Sequence, residues 1–95
     1  MPTVKVLPFD EKLSYPQKQL VKINGKAYRL FYRWNYKGNF VVLRIRRLED
    51  NVIVFEGKLT EKNPFEVKDP QTYEVLFTIL PWNVNNEKAE VWVFE

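Results

Sequence analysis

The residues best suited to bind another molecule lie between positions 28 and 47 of the chain. Residues 28–36 read YRLFYRWNY, and Phe40, Arg44, Arg46 and Arg47 follow shortly after them. Successive side chains of a strand point to opposite faces, so a strand here would place Arg29, Phe31 and Arg33 on one face, with Asn35 at its end. The opposite face would carry Tyr28, Leu30, Tyr32 and Trp34.

Two kinds of chemistry fit this pattern. Single-stranded nucleic acid binds surfaces where arginines alternate with aromatic rings, because bases stack on the rings and phosphates pair with the cations. Alternatively, the tyrosines, Leu30 and Trp34 are core residues, and the outer face with Arg29, Arg33, Arg44 and Arg46 is solvated or contacts a protein partner. We favour the second interpretation and keep the first as the alternative function.

The sequence lacks the residue types on which most enzyme active sites depend. It has no histidine and no cysteine, and Ser14 is its one serine. The common general base, the thiol nucleophile and the usual transition-metal ligands are therefore missing. The carboxylates show no calcium-loop spacing, and the three glycines are too far apart to cradle a phosphate. We predict no catalytic residue, no metal and no cofactor, and rank a small-molecule enzyme last.

The tryptophans offer a third kind of binding chemistry. Trp34, Trp82 and Trp92 could form a platform on which sugar rings stack, as in a carbohydrate-binding module. We expect core packing for at least two of them, because they lie in or beside alternating strands.

Composition and charge predict a single domain spanning residues 1–95. The chain is 45% hydrophobic and 28% charged, which is typical of a globular protein. It has no cysteine, no apolar run of signal-peptide type and none long enough to span a bilayer, so we expect intracellular synthesis and no membrane partner. Residues 1–47 carry a net charge of +9 and residues 48–95 one of −6. Either oppositely charged strands pair within one sheet, or the surface is bipolar and could join copies of the chain head to tail.

An alternation with a period of two residues runs through most of the chain and predicts strands rather than helices. We predict seven: Thr3–Leu7, Gln19–Ile23, Lys26–Trp34, Phe40–Arg47, Val52–Leu59, Tyr73–Leu80 and Lys88–Phe94. Asn24-Gly25 predicts a tight hairpin between the second and third strands. In the fifth strand we expect Ile53 and Phe55 to point inward and Gly57 to mark a bulge. Thr60–Pro70 is predicted to be a loop, and Pro81 to end the sixth strand.

These short strands predict an all-β fold, which is either a small antiparallel barrel or a sandwich. The segments Leu7–Asp10, Gln19–Leu30, Tyr32–Asn35, Phe40–Ile45 and Asn51–Leu59 resemble the small baseplate plug family of tailed phages and phage-like contractile particles. The resemblance covers most of residues 4–80 and does not extend to Trp82–Glu95.

The resemblance implies a compact β-barrel without enzymatic activity that fills or seals the centre of a tail baseplate. It implies a location in the virion or phage-like particle and contacts with hub, tail tube or spike proteins. From the charge distribution we add copies of the chain itself, arranged in a ring, in which basic strands face a neighbour's Glu49–Glu74. The predicted binding residues are Arg29, Phe31, Tyr32, Arg33, Asn35, Arg44 and Arg46.

Overall fold

Alternating apolar and polar residues produce eight antiparallel strands in the computed structural model, which describes residues 4–95. The strands are β1 (Val4–Val6), β2 (Gln17–Ile23), β3 (Lys26–Asn35), β4 (Phe40–Arg47), β5 (Val52–Lys58), β6 (Phe65–Lys68), β7 (Val75–Val84) and β8 (Ala89–Phe94). Within the described range there is no helix. The predicted all-β fold class is confirmed.

The strands form two four-stranded sheets, with orders β2-β3-β4-β5 and β1-β8-β7-β6. Each sheet keeps two open edges, so the fold is a sandwich rather than a closed barrel. Of the two architectures predicted from the sequence, the sandwich is therefore correct. The barrel implied by the family resemblance is not formed.

The core lies between the two sheets and is lined by one face of each. From the first sheet it includes Leu30, Tyr32, Leu43 and Ile45, and from the second Phe77, Ile79, Val91 and Val93. Two aromatic pairs bridge the sheets: Tyr28 meets Phe77 edge-on with ring centroids 5.3 Å apart, and Phe55 lies 5.8 Å from Phe65. Burial of these side chains is the main stabilising contribution to the sandwich.

The hairpin predicted at Asn24-Gly25 is confirmed. Ile23 pairs with Lys26, and the two turn residues have φ angles of 52° and 78°. Asparagine and glycine tolerate this left-handed backbone better than other residues, which is why the pair marks a two-residue turn.

The loop before β2 closes one end of the core. Leu7 is buried and its backbone N–H donates to the carbonyl of Val91 at 2.8 Å. The Tyr32 hydroxyl donates to the carbonyl of Pro8 at 2.9 Å, and the Phe9 ring packs edge-on against Tyr32. Burial raises the pKa of Tyr32, so the hydroxyl remains a protonated donor.

The largest differences from the prediction in the second half of the chain concern the segment 60–70 and the end of β7, while other strand ends differ by one or two residues. The segment Thr60–Pro70 is not all loop, because Phe65–Lys68 forms β6 and pairs with β7. Pro81 does not end β7, which continues to Val84. The register of β7 against β8 shifts between Pro81 and Asn83, and proline is tolerated at such a bulge.

The inward positions of β5 also differ from the prediction. Phe55 pairs with Ile45 and Ile53 with Arg46, so Val54 is an extra residue in the ladder. This bulge turns Val54 into the core and leaves Ile53 on the outer face. Gly57 pairs in regular register with Leu43 and is not the bulge. Thr3, where the first strand was predicted to begin, lies outside the described residues.

Candidate functional site

The outer face of the β2-β3-β4-β5 sheet carries a cluster of basic side chains. Register places Lys18, Phe31, Arg44 and Glu56 in one row across the four strands, and Leu20, Arg29, Arg46 and Ile53 in the next. A third row contains Arg33, Val42 and Lys58. We call the outward side chains of these three rows, together with Phe40 beside them, the cationic face.

A groove of about 340 Å³ lies at the middle of the cationic face. It is lined by Lys18, Arg29, Phe31, Arg44, Arg46 and Asn51. The Phe31 ring lies 5.7 Å from Lys18 Nζ and 5.8 Å from the Arg44 guanidinium carbon. Both distances fall within the range of cation–π contacts, so the central ring is flanked by positive charge.

Two of the groove arginines are held by contacts inside the chain. Arg44 Nε donates to Glu56 Oε2 at 2.6 Å across β4 and β5. Arg46 Nη1 donates to both the backbone carbonyl and Oδ1 of Asn51, at 3.2 Å each. In the described part of the chain, the side chains of Lys18 and Arg29 form no hydrogen bond or ion pair.

Charge on the cationic face is strongly unbalanced. Its three rows contain six Lys and Arg side chains, and Glu56 is the one carboxylate among them. Clustered charge of one sign creates a positive potential that attracts anionic partners and speeds their association. The face is therefore suited to a partner that supplies several negative charges.

The structure brings five of the seven predicted binding residues together on this face: Arg29, Phe31, Arg33, Arg44 and Arg46. Tyr32 points the other way, is fully buried and belongs to the core. Asn35 shapes the β3–β4 turn, where its Oδ1 accepts hydrogen bonds from the backbone N–H groups of Lys37 and Gly38. Neither side chain belongs to the groove.

Lys18 and Lys58 are members of the face that the sequence reasoning missed. Lys58 Nζ lies 5.0 Å from the centroid of the Phe40 ring. Lys18 alternates with Leu20 along β2, and this period-two pattern could have placed it opposite Phe31. Finding Lys58 required the β5 register, which the bulge at Val54 changes.

The opposite side of the sandwich carries an aromatic face. Its apolar members are outward side chains of β1, β7 and β8, namely Val4, Val6, Leu80, Trp82, Trp92 and Phe94, and the polar Thr78 and Glu90 point outward beside them. Trp82 and Trp92 stack with ring centroids 4.3 Å apart and planes 15° apart. The expectation that at least two tryptophans are core residues is wrong, because only Trp34 packs against the core cluster.

The tryptophan pair does not form an open platform for sugars. One face of Trp82 is covered by Trp92, and Lys62 Nζ lies 3.9 Å from the Trp82 ring centroid. Trp92 Nε1 donates to Glu90 at 2.9 Å. Because sugar rings stack on uncovered aromatic faces, this arrangement gives no support to the carbohydrate-binding alternative.

One arginine outside the cationic face links the two sheets. Arg47 is buried, and it donates to both carboxylate oxygens of Asp50 and, at 2.9 Å, to Asp69. Its guanidinium lowers the pKa of Asp50. Backbone N–H of Gln71 and then Arg47 lower the pKa of Asp69. The bidentate geometry fits a structural role.

The acidic half of the chain is largely paired within the molecule. Four of the seven carboxylates between residues 49 and 74 form ion pairs: Glu49 with Lys26, Glu56 with Arg44, and Asp50 and Asp69 with Arg47. Within residues 4–95, no group of three or more Asp and Glu side chains is placed to hold a metal ion. The same part of the chain contains no helix able to cross a membrane.

Comparison with known proteins yields no relative: no family model, no curated protein and no solved structure matches the chain.

Proposed function

We propose that this chain is a non-catalytic assembly protein of a phage or phage-like tail baseplate, where it plugs or seals the central hub. The observation that carries the proposal is the pair of unlike surfaces on opposite sides of one thin sandwich. A small protein with a cationic face and an aromatic face can bind two different neighbours at once. The family resemblance of residues 4–80 supports the baseplate as the place where it does so.

The two faces suit different contacts. Contiguous apolar surface is uncommon on monomeric proteins and is typical of interaction sites, and Val4, Val6 and Trp82 are all exposed. Aromatic residues and arginine are enriched at protein interfaces, so both faces have a suitable composition. In this proposal the neighbours are hub, tail tube or spike proteins, and the sandwich lies between them.

The ion pairs within the molecule do not favour the ring contact predicted from charge, in which basic strands of one copy face Glu49–Glu74 of the next. Pairing within the molecule leaves Glu61, Glu66 and Glu74 as the carboxylates of the acidic segment without an ion pair in the described residues. Glu61 also accepts a hydrogen bond from the backbone of Val84. If copies surround the tail axis, we propose that the neighbouring proteins, rather than Glu49–Glu74, hold them there.

The proposal is tested by asking whether the chain enters particles. A tagged copy is expressed in cells that carry the neighbouring genes, particles are isolated by sedimentation, and the chain is quantified by immunoblot. We expect wild-type protein in the particle fraction and depletion of an R29E/R33E variant of the cationic face. A K12E/K37E variant makes the same charge change on exposed loops and should enter normally. Absence of the wild type from particles would reject the proposal.

Binding of single-stranded nucleic acid is the second candidate, favoured by the position of Phe31 among cations. We expect any such binding to be weak and strongly dependent on salt, because phosphate contacts dominate it. Titration of a labelled oligonucleotide at two salt concentrations decides the matter. Sub-micromolar binding near physiological salt that is lost in an R33A or F31A variant would make this the leading function.

A further inference from the structure

The two aromatic rings of the cationic face indicate what kind of anion the face accepts. Phe31 has Lys18 and Arg44 within 6 Å of its ring centroid, and Phe40 has Lys58 at 5.0 Å. Nucleic-acid platforms depend on rings that bases can cover by stacking. Here Lys18 and Arg44 lie over the Phe31 ring and Lys58 over the Phe40 ring, so a base would have to displace these cations in order to stack. The rings therefore hold the cations in place and do not offer a free stacking surface. This arrangement favours an acidic polypeptide, whose negative charges lie on its side chains, over a nucleic acid.

The spacing of the cations fits an extended polypeptide. Consecutive outward residues of a strand are separated by roughly 7 Å, since each residue rises about 3.3 Å. Each of the three rows across the sheet contains one residue of β3, which is Arg29, Phe31 or Arg33. The rows are therefore about 7 Å apart, and each row contains cations. Carboxylates at alternate positions of an extended segment have the same spacing. One such segment lying along β3 and β4 could pair with all three rows.

A second copy of this chain is not suited to supply that segment. Its longest acidic stretch, residues 49–74, contains four carboxylates that already form ion pairs within the molecule. Lys18 and Arg29 remain without such partners in the described residues. The other three carboxylates of that stretch, Glu61, Glu66 and Glu74, do not lie at alternate positions of one strand, since only Glu66 is in a strand. A different protein is therefore the better source of the negative charge.

We propose that the cationic face binds an extended acidic segment of a partner protein, with Asp or Glu at alternate positions and with Lys18, Arg29, Arg33, Arg44 and Arg46 as its main contacts. This inference rests on the proposed function and identifies the chemistry of one of the two neighbours. Arg44 and Arg46 are pre-oriented by Glu56 and Asn51, which reduces the entropy lost on binding.

The probe for the test is a fluorescein-labelled peptide of about ten residues in which Glu alternates with Ser, so that its carboxylates are about 7 Å apart when extended. A peptide with Gln at the same positions is the matched probe without charge. Fluorescence anisotropy measures the Kd at low and near-physiological salt. We expect the Glu peptide to bind, the Gln peptide not to bind, and binding to weaken as salt rises.

The decisive variant is K18Q/R29Q, which removes two cations that form no hydrogen bond or ion pair within the described structure. We expect the Kd for the Glu peptide to rise about 5- to 30-fold, as the loss of two exposed ion pairs predicts. The control variant K12Q/K37Q makes an equal change of net charge on loops and should leave the Kd within about twofold. Unchanged urea midpoints verify that both variants fold.

Three outcomes would overturn the inference. The first is equal weakening in both variants, which would show a general charge effect. The second is failure of the Glu peptide to bind at low salt. The third is much tighter binding of a single-stranded oligonucleotide of similar charge. None of them bears on whether the chain enters particles, so the proposed function stands or falls on its own experiment.

Discussion

Phe31 and Tyr32 are neighbours on β3 with opposite roles, and substitutions at the two positions should separate stability from binding. Tyr32 is fully buried, packs edge-on against Phe9 and donates a hydrogen bond to Pro8. Phe31 is half-buried on the outer face, between Lys18 and Arg44. The alternation along β3 placed the two rings on opposite faces, and the burial of Tyr32 shows that its face is the one in the core.

The magnitudes follow from these environments. Tyr32→Phe removes the hydroxyl and leaves the Pro8 carbonyl without its donor, which costs about 1 kcal/mol. Tyr32→Ala also leaves a ring-sized cavity between the sheets and should cost about 3–5 kcal/mol. Phe31→Ala opens no cavity in the core but removes a half-buried ring and its two cation–π contacts, so we expect a loss of about 1 kcal/mol.

Urea denaturation followed by tryptophan fluorescence measures these differences. With a slope of about 1 kcal/mol per M of urea, Tyr32→Phe and Phe31→Ala should each lower the midpoint by about 1 M, and Tyr32→Ala by about 3 M or more. Phe31→Ala should in turn weaken binding of the acidic peptide, whereas Tyr32→Phe should not. A larger loss of stability from Phe31→Ala than from Tyr32→Ala would refute the assignment of faces to β3.

Three further predictions concern the link between the sheets, the hairpin and the tryptophan pair. Arg47→Met should lower the urea midpoint at pH 7, because it removes the ion pairs with Asp50 and Asp69. The difference in midpoint from the wild type should shrink as the pH falls below about 4, because both carboxylates have lowered pKa values and lose their charge only there. Gly25→Ala should cost about 1 kcal/mol through its φ of +78° alone, since a Cβ there meets no atom within 4 Å, and Gly25→Asn should cost less. Trp82→Phe should abolish an exciton couplet in far-ultraviolet circular dichroism that comes from stacking on Trp92, with little change in the urea midpoint.

Local patterns in the sequence predicted the parts of the fold that depend on neighbouring residues. The alternation of Val41, Leu43 and Ile45 identified the inner face of β4, and all three are fully buried. Asn24-Gly25 identified the first hairpin because the turn geometry depends on those two residues alone. The same alternation separated Arg29 and Arg33 from the core, which is why most of the cationic face could be found.

The features that the sequence did not predict depend on distant residues. β6 has only four residues, lies between prolines and is stabilised by pairing with β7. The outward turn of Ile53 follows from a bulge that only the register against β4 shows. The ion pair of Arg47 with Asp69 spans 22 positions, and no local pattern marks it.

The position of the chain inside a purified particle is the measurement that tests the account most directly. Electron cryomicroscopy of particles assembled with the wild-type chain should show the eight-stranded sandwich at the centre of the baseplate. Its cationic face should be covered by an acidic segment of one neighbour, and its aromatic face by apolar side chains of another. Particles whose baseplate axis lacks this density, or a sandwich with both outer faces open to solvent, would contradict the account.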